Sequence, residues 1–193
     1  GLHNDFIIGD ANKKFPFDDN YFHSIFSNII YWLDDPLKAF QEIFRVLKPG
    51  GTCCVMLPNK SFVDYSFYNK YYVIPNNTKF QFLEKLDRGR LADNIKTAKD
   101  FSEWKIIVNN AGLEIISHKQ HLSKTVIQMW DIGLRPLFPV LIKMVQSIED
   151  GKMVEIKKEW IDTLKIFLEP ISVMDNVLCE KGEPGFHCFI LQK

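Results

Sequence analysis

No charge of one sign dominates this sequence of 193 residues: lysine plus arginine and aspartate plus glutamate number 24 each. That balance removes any general electrostatic case for nucleic acid or an anionic membrane as partner. No apolar stretch continues for the roughly 20 residues a membrane span needs before a charge interrupts it, and the opening GLHND lacks the apolar core of a signal peptide. The four cysteines contain no CxxC pair, and Cys53 and Cys54 are adjacent. Buried thiols in a reducing compartment, the cytoplasm, are therefore expected in place of a disulfide frame or zinc site. His118 and His121 lie three residues apart on an expected strand and so point to opposite faces, which argues against a metal site there. With 46% hydrophobic and 25% charged residues, the composition is that of one globular domain and excludes a disordered chain or a fibre.

What is present centres on the stretch from Phe22 to Asn59. Ser24 to Ile30 is a short apolar run that reads as a strand buried on both faces. Asp34-Asp35-Pro36 supplies a helix start, with a carboxylate for the free amides and proline in the first turn. Leu37, Phe40, Phe44 and Leu47 then form one apolar stripe, with Lys38, Glu42, Arg45 and Lys48 opposite. Pro49-Gly50-Gly51 is the expected stop, and Thr52 to Leu57 the next strand. Two strands joined by one helix are expected to be parallel with a right-handed crossover. A ligand then belongs beyond their carboxyl ends, near Asn28 to Tyr31 and Pro58-Asn59.

Upstream, Asp5 to Gly9 reads as a brief strand ending at Asp10-Ala11. Phe15-Pro16-Phe17 is a turn-rich link whose aromatics pack the core or the floor of the ligand region. Ser61 to Asp93 is dense in tyrosine and phenylalanine and too long for a connector, which usually takes about 2–6 residues. It reads as an inserted lid, with plain core packing the alternative. Thr97 to Asp100 has the spacing of a capping box, followed by a helix with the stripe Phe101, Trp104, Val108 and Ala111, ended by Gly112. Leu113 to His118 is a strand. Thr125 to Asp150, broken by Arg135-Pro136 and Pro139, and the amphipathic helix Lys152 to Pro170 form a second insertion, a helical cap or an oligomer interface. Gly182 to Gly185 is a turn, and Phe186 to Leu191 the last strand.

The run Gly9-Asp10-Ala11, Phe15-Pro16-Phe17, Phe22 to Asn28 and EIFRVLKPGG at Glu42 to Gly51 resembles the second half of the core of class I S-adenosylmethionine-dependent methyltransferases, type 11 branch. The resemblance implies an α/β, Rossmann-like methyltransferase fold, mostly parallel, with the last strand antiparallel and inserted between its two predecessors (order 3-2-1-4-5-7-6). Its core would be residues 5–59, 97–122 and 183–193, and its cap insertions 61–93 and 123–180. It implies S-adenosyl-L-methionine as cofactor and methyl transfer to a small-molecule acceptor. Asp10 would accept from the adenine amino group, as an acceptor-only carboxylate can, and the amide of Ala11 would face the ring; a turn-capping role for Asp10 is the alternative. Ser27 and Asn28 would line the methionine part or simply form a turn. Tyr31 would wall the acceptor side or pack the following helix, and Tyr31 and His118 are the candidate proton acceptors. Where the family has Phe-Asp, this sequence has Phe22-His23.

The family's glycine-rich GxGxG loop and the acid ending its second strand do not occur in these residues. The sequence is therefore expected to be the C-terminal part of a longer methyltransferase, with GLHND an entry in mid-domain. The rival is a non-catalytic module of the same fold serving protein interaction. Without the preceding strands, Ser24 to Ile30 would be a sheet edge. It would be covered by the rest of a longer chain, by the Asp5 to Gly9 segment, or by a second chain in a homodimer.

Overall fold

A computed structural model describes residues 6–83, 97–134 and 137–193. Four strands, β1 (Phe22–Ser27), β2 (Leu47–Pro58), β3 (Glu114–Ser123) and β4 (Pro184–Gln192), form one sheet in the order β1-β2-β4-β3. β1 and β2 are parallel. β4 is antiparallel to β2: Lys193 bonds Gly50 and Gly51 at one end, and Cys188 meets Cys54 further along. It is likewise antiparallel to β3, since His187 meets His118 and Glu183 meets Lys124. This is the order and polarity expected for the last four strands. Among the described residues the helices are α1 (Pro36–Val46), α2 (Ser61–Tyr65), α3 (Phe101–Asn110), α4 (Lys124–Met129), α5 (Phe138–Gln146) and α6 (Asp150–Glu180).

The chain divides into two units. The first comprises Gly1–Asn59, Asn94–Lys119 and His187–Lys193, the second Lys60–Asp93 and Gln120–Phe186. In the first unit, α1 starts as expected: Asp35 caps it by accepting the Lys38 N–H at 3.2 Å, and Pro36 occupies the first turn, where no N–H is needed. Phe40 and Ile43 of α1, Trp104 and Val108 of α3, and Val55 of β2 form one core with Phe189 of β4. On β2 the residues buried against this core are Cys53, Val55 and Leu57, every second position, as one sheet face requires. Burial pushes the Cys53 thiol up to about 12, and all four cysteines are free thiols.

Several boundaries differ from expectation. Phe6 to Asp10 forms no strand, and Phe6 and Ile8 are exposed. Asp5 lies outside the described residues. β1 is shorter than expected and is not buried on both faces. It is the sheet edge, and Phe26 is 65% exposed. Helix α1 ends at Val46, before the proline, because Leu47 is already extended (ψ 140°), fully buried and paired with Phe22. β2 therefore begins at Leu47. The register jumps from Phe22↔Leu47 to Ser24↔Thr52, so Lys48 to Gly51 form a bulge inside the strand. Gly50 has φ +74°, and a Cβ on Gly51 would lie 2.8 Å from the Lys48 carbonyl oxygen and 3.1 Å from that of His23. Gly51→Ala is expected to cost about 1–3 kcal/mol, because backbone must move to admit the methyl group; a urea unfolding midpoint no lower than that of the parent would contradict the bulge.

The capping box sits three residues later than the sequence spacing suggests. Asp100 caps α3 by accepting the Glu103 N–H at 3.0 Å, and Glu103 accepts the Asp100 N–H at 2.9 Å. Two acids satisfy the box as well as threonine and one acid do, which frees the Thr97 hydroxyl to donate to the Tyr31 carbonyl.

In the second unit the aromatic stretch after Ser61 packs upon itself: Phe67 stacks on Tyr71 with ring centroids 4.9 Å apart, and Tyr71 meets Phe80 at 5.7 Å. Asp131, buried in a wide helical turn at Trp130–Leu134, accepts the Phe67 N–H at 3.3 Å and ties that stretch to the helices. Residues 84–96 and the Arg135-Pro136 pair lie outside the described residues, and Pro139 sits in the first turn of α5. α6 runs through Pro170 to Glu180, ten residues beyond its expected end. An interior proline costs about 3 kcal/mol. The continuation is held by Asp175, whose carboxylate accepts the N–H groups of Leu122 (2.8 Å) and Ser123 (2.6 Å).

Candidate functional site

The carboxyl ends of β1 and β2 carry the side chains of interest in the first unit. Beyond β1, the Ser27 hydroxyl accepts the Ile29 N–H at 3.4 Å in a turn that leaves Asn28 exposed and buries Ile30. Tyr31 lies in the short helical turn Ile30–Trp32, its ring 5.3 Å from that of Trp32, and its carbonyl accepts from Thr97. Beyond β2, the Pro58 carbonyl accepts from the Lys99 amide (3.2 Å) and the Trp104 indole (3.0 Å), which fixes the entry to α3 against the strand end.

Asp10 lies in a separate loop. One carboxylate oxygen accepts the Asn12 N–H at 3.0 Å, and the other pairs with Lys13 at 3.4 Å in an exposed contact. The Asn12 backbone N–H holds the Asp10 carboxyl below its ordinary range, aided by Lys13, so it is an acceptor at neutral pH. Asn12 in turn accepts the Asp34 N–H at 2.8 Å through its side-chain oxygen. That bond ties the Asp10-Ala11 loop to the segment carrying Ser27, Asn28 and Tyr31. Ala11 and Asn12 also line a hollow of about 410 Å³ with Asp34, Asp35 and Lys38. The sequence singles out Thr97 only as a helix cap and does not single out Asn12. The signal for Asn12 was an amide side chain two residues after an acid, in a turn.

The candidate proton acceptors do not meet. Tyr31 follows β1, while His118 sits within β3 at the opposite edge of the sheet, with two strands between them, a separation of roughly 14 Å across the sheet. The His118 Nε2 is 2.9 Å from the Nδ1 of buried His187, and its ring packs at 4.6 Å on Phe101 and 4.8 Å on Phe189. Burial lowers the His118 pKa, favouring the neutral ring. A folded pKa below the unfolded one of about 6.5 means that this neutral packing stabilises fully above that value and is lost as pH falls below it. Thermal midpoints should therefore drop between pH 7 and pH 5, and His118→Phe should flatten that drop; an unchanged slope would show that this ring is not the group responsible.

A second polar cluster was not foreseen. Arg45 turns onto the Phe15 to Asp19 link, donating to the carbonyls of Phe15 (3.0 Å) and Phe17 (2.8 Å) and to Asp19 (2.8 Å), and pairs with Glu42 at 2.8 Å. Glu42 also accepts the Phe15 N–H at 2.8 Å. The cluster holds the link that follows the Asp10 loop. Among the described residues, no group of three or more His, Cys, Asp or Glu could hold a metal ion.

The family model described as a methyltransferase domain matches residues 1–55. Two curated proteins similar to this chain are both named ubiquinone/menaquinone biosynthesis C-methyltransferase UbiE. That of Desulfotalea psychrophila is 37% identical over 71 residues, covering 35% of this chain and 28% of its own length. That of Cronobacter sakazakii is 29% identical over 132 residues, covering 61% and 51%. The likeness to a methyltransferase domain is thus carried by residues 1–55. A solved structure, the [4+2]-cyclase SpnF, aligns with 98% of this chain and 55% of its own at a TM-score of 0.50 and 17% identity, a likeness of fold alone. This methyltransferase-fold chain matches about half, or less, of the length of these curated relatives. The family match contains Asp10, Ala11, Ser27, Asn28 and Tyr31, and His118 lies outside it. Among the described residues, no helix is long and apolar enough to cross a membrane.

Proposed function

We propose that this chain is the C-terminal part of a longer S-adenosyl-L-methionine-dependent methyltransferase acting on a small-molecule acceptor. The observation that carries the reading is the Asn12 to Asp34 bond, which joins the Asp10 loop to the Ser27 to Tyr31 segment at the strand ends where ligands of open α/β sheets bind. Asp10 would hold the adenine amino group, for which an ionised carboxylate engaged only by a turn amide and an exposed lysine is suited. The Ala11 amide would face the ring, and Ser27 and Asn28 would line the methionine part. The bound cofactor would supply an electrophilic methyl group. The chain's own task would be alignment of the acceptor and exclusion of water, with Tyr31 the candidate at the acceptor side. His118, packed among aromatic rings, is better suited to holding β3 and β4 together than to taking a proton. The aromatic and helical insertions, 61–93 and 123–180, are assigned to acceptor choice. The names of the relatives point to carbon methylation of a quinone-like ring as the first acceptor to try.

The reading as part of a longer chain is supported by the edge position of β1 with Phe26 exposed, and by relatives about twice the matched length or more. The test is amide chemical-shift mapping of the complete protein with S-adenosylhomocysteine. Shifts are expected at Ala11, Asn12, Ser27 and Asn28; saturating ligand that leaves all four unmoved would overturn these site assignments.

A further inference from the structure

One apolar face of helix α6 is covered only in part. Toward its end Leu178 and Cys179 turn inward, anchored by the bonds from Asp175 to the Leu122 and Ser123 amides. About three to five turns earlier, on the same side of the helix, Trp160, Ile161, Leu164, Phe167 and Leu168 are between 36% and 53% exposed. Met129, Trp130 and Ile132 beside them are 41–60% exposed. With about 150–250 Å² for a large side chain, these eight leave roughly 700 Å² of apolar surface open. That exceeds the largest patch of a typical monomer, about 300–600 Å², and approaches the roughly 800 Å² that each partner brings to a stable interface.

We infer that this face is the contact between two copies of the chain, with their α6 helices antiparallel across a two-fold axis at Leu164. The pattern is self-complementary in that register: Leu164 meets its own counterpart, Ile161 meets Phe167, and Trp160 meets Leu168, every pair apolar. An isologous contact demands this reciprocity. Leu168 also lines an apolar hollow of about 490 Å³ with Phe167, Ile171, Met129, Trp130 and Ile132. Trp160 of the second copy arrives at that hollow, and a tryptophan seated in an apolar hollow near the centre is the usual form of an interface hot spot. An anionic lipid surface or nucleic acid would ask for excess positive charge, and this chain has 24 charges of each sign.

The test is sedimentation equilibrium of the protein that carries this chain, from 1 to 100 μM. A reversible dimer is expected, and Leu164→Glu should weaken association at least about 100-fold while the far-ultraviolet spectrum is retained. Because a charged variant can misfold, Leu164→Cys gives a second reading: mild oxidation should link two copies through position 164, while the parent protein should not link. A monomer throughout the range would overturn the inference, as would a dimer indifferent to Leu164→Glu. Quenching of Trp160 by an apolar ligand or vesicle in a protein that stays monomeric would also overturn it.

Discussion

Replacing Trp104 by alanine is expected to remove about 3–5 kcal/mol of stability, the range for a large aromatic taken from a packed core. Trp104 is fully buried among residues of α1, β2 and β4, so its removal opens a cavity where the helix layer meets the sheet. Its indole N–H also donates to the Pro58 carbonyl, at the strand end where the proposed site lies. A domain of this size has only about 5–15 kcal/mol in total. Trp104→Phe retains most of the packing and gives up the bond, so it should fall between parent and alanine variant. Urea unfolding followed by far-ultraviolet circular dichroism measures both. Equal losses for Phe and Ala would assign the effect to the hydrogen bond, and a loss under about 1 kcal/mol for Ala would contradict the packing described.

Arg45→Met should cost about 2 kcal/mol. It leaves Glu42 part-buried without its cation and the Phe15 and Phe17 carbonyls without a donor. The Arg45 to Asp19 pair, with its carboxylate exposed, contributes little by itself; the cost comes from several groups deprived at once. The pH dependence separates the two contributions. Arg45 is the first cause that lowers the Glu42 carboxyl below its ordinary value, so the stabilisation is present at neutral pH and lost as pH falls through the folded-state pKa. In the methionine variant the acid loss between about pH 5 and pH 3 should shrink. An acid slope identical to the parent's would mean that the pair is not coupled to folding.

The elements legible in the sequence were those whose local signals and packing agree. Asp35-Pro36 starts α1, Trp104 and Val108 mark the buried stripe of α3, and Gly112, with φ +86°, ends it. The signals that misled were local ones overruled by distant partners. Pro49-Gly50-Gly51 has the composition of a helix stop, yet the stop is made by Leu47 pairing with Phe22, and the glycines serve a bulge visible only once both strands are placed. Pro170 resembles an end, but Asp175 holds the continuation by reaching residues more than 50 positions away. Asp10 and Tyr31 could be singled out from sequence, while the Asn12 to Asp34 bond between their segments and the distance of His118 from Tyr31 follow only from strand order.

In the proposed function, the Asp10 loop and the end of β1 form the cofactor-binding edge of a methyltransferase. The most direct test is calorimetric titration of the complete protein with S-adenosylhomocysteine, parent against Asp10→Ala. One site per chain is expected in the parent, and an affinity about ten- to a hundredfold weaker in a folded Asp10→Ala variant, the loss that follows when a charged hydrogen-bond acceptor is removed. An unchanged dissociation constant in that variant would contradict the role of Asp10, and a folded parent protein that releases no heat of binding would favour the non-catalytic module over the enzyme.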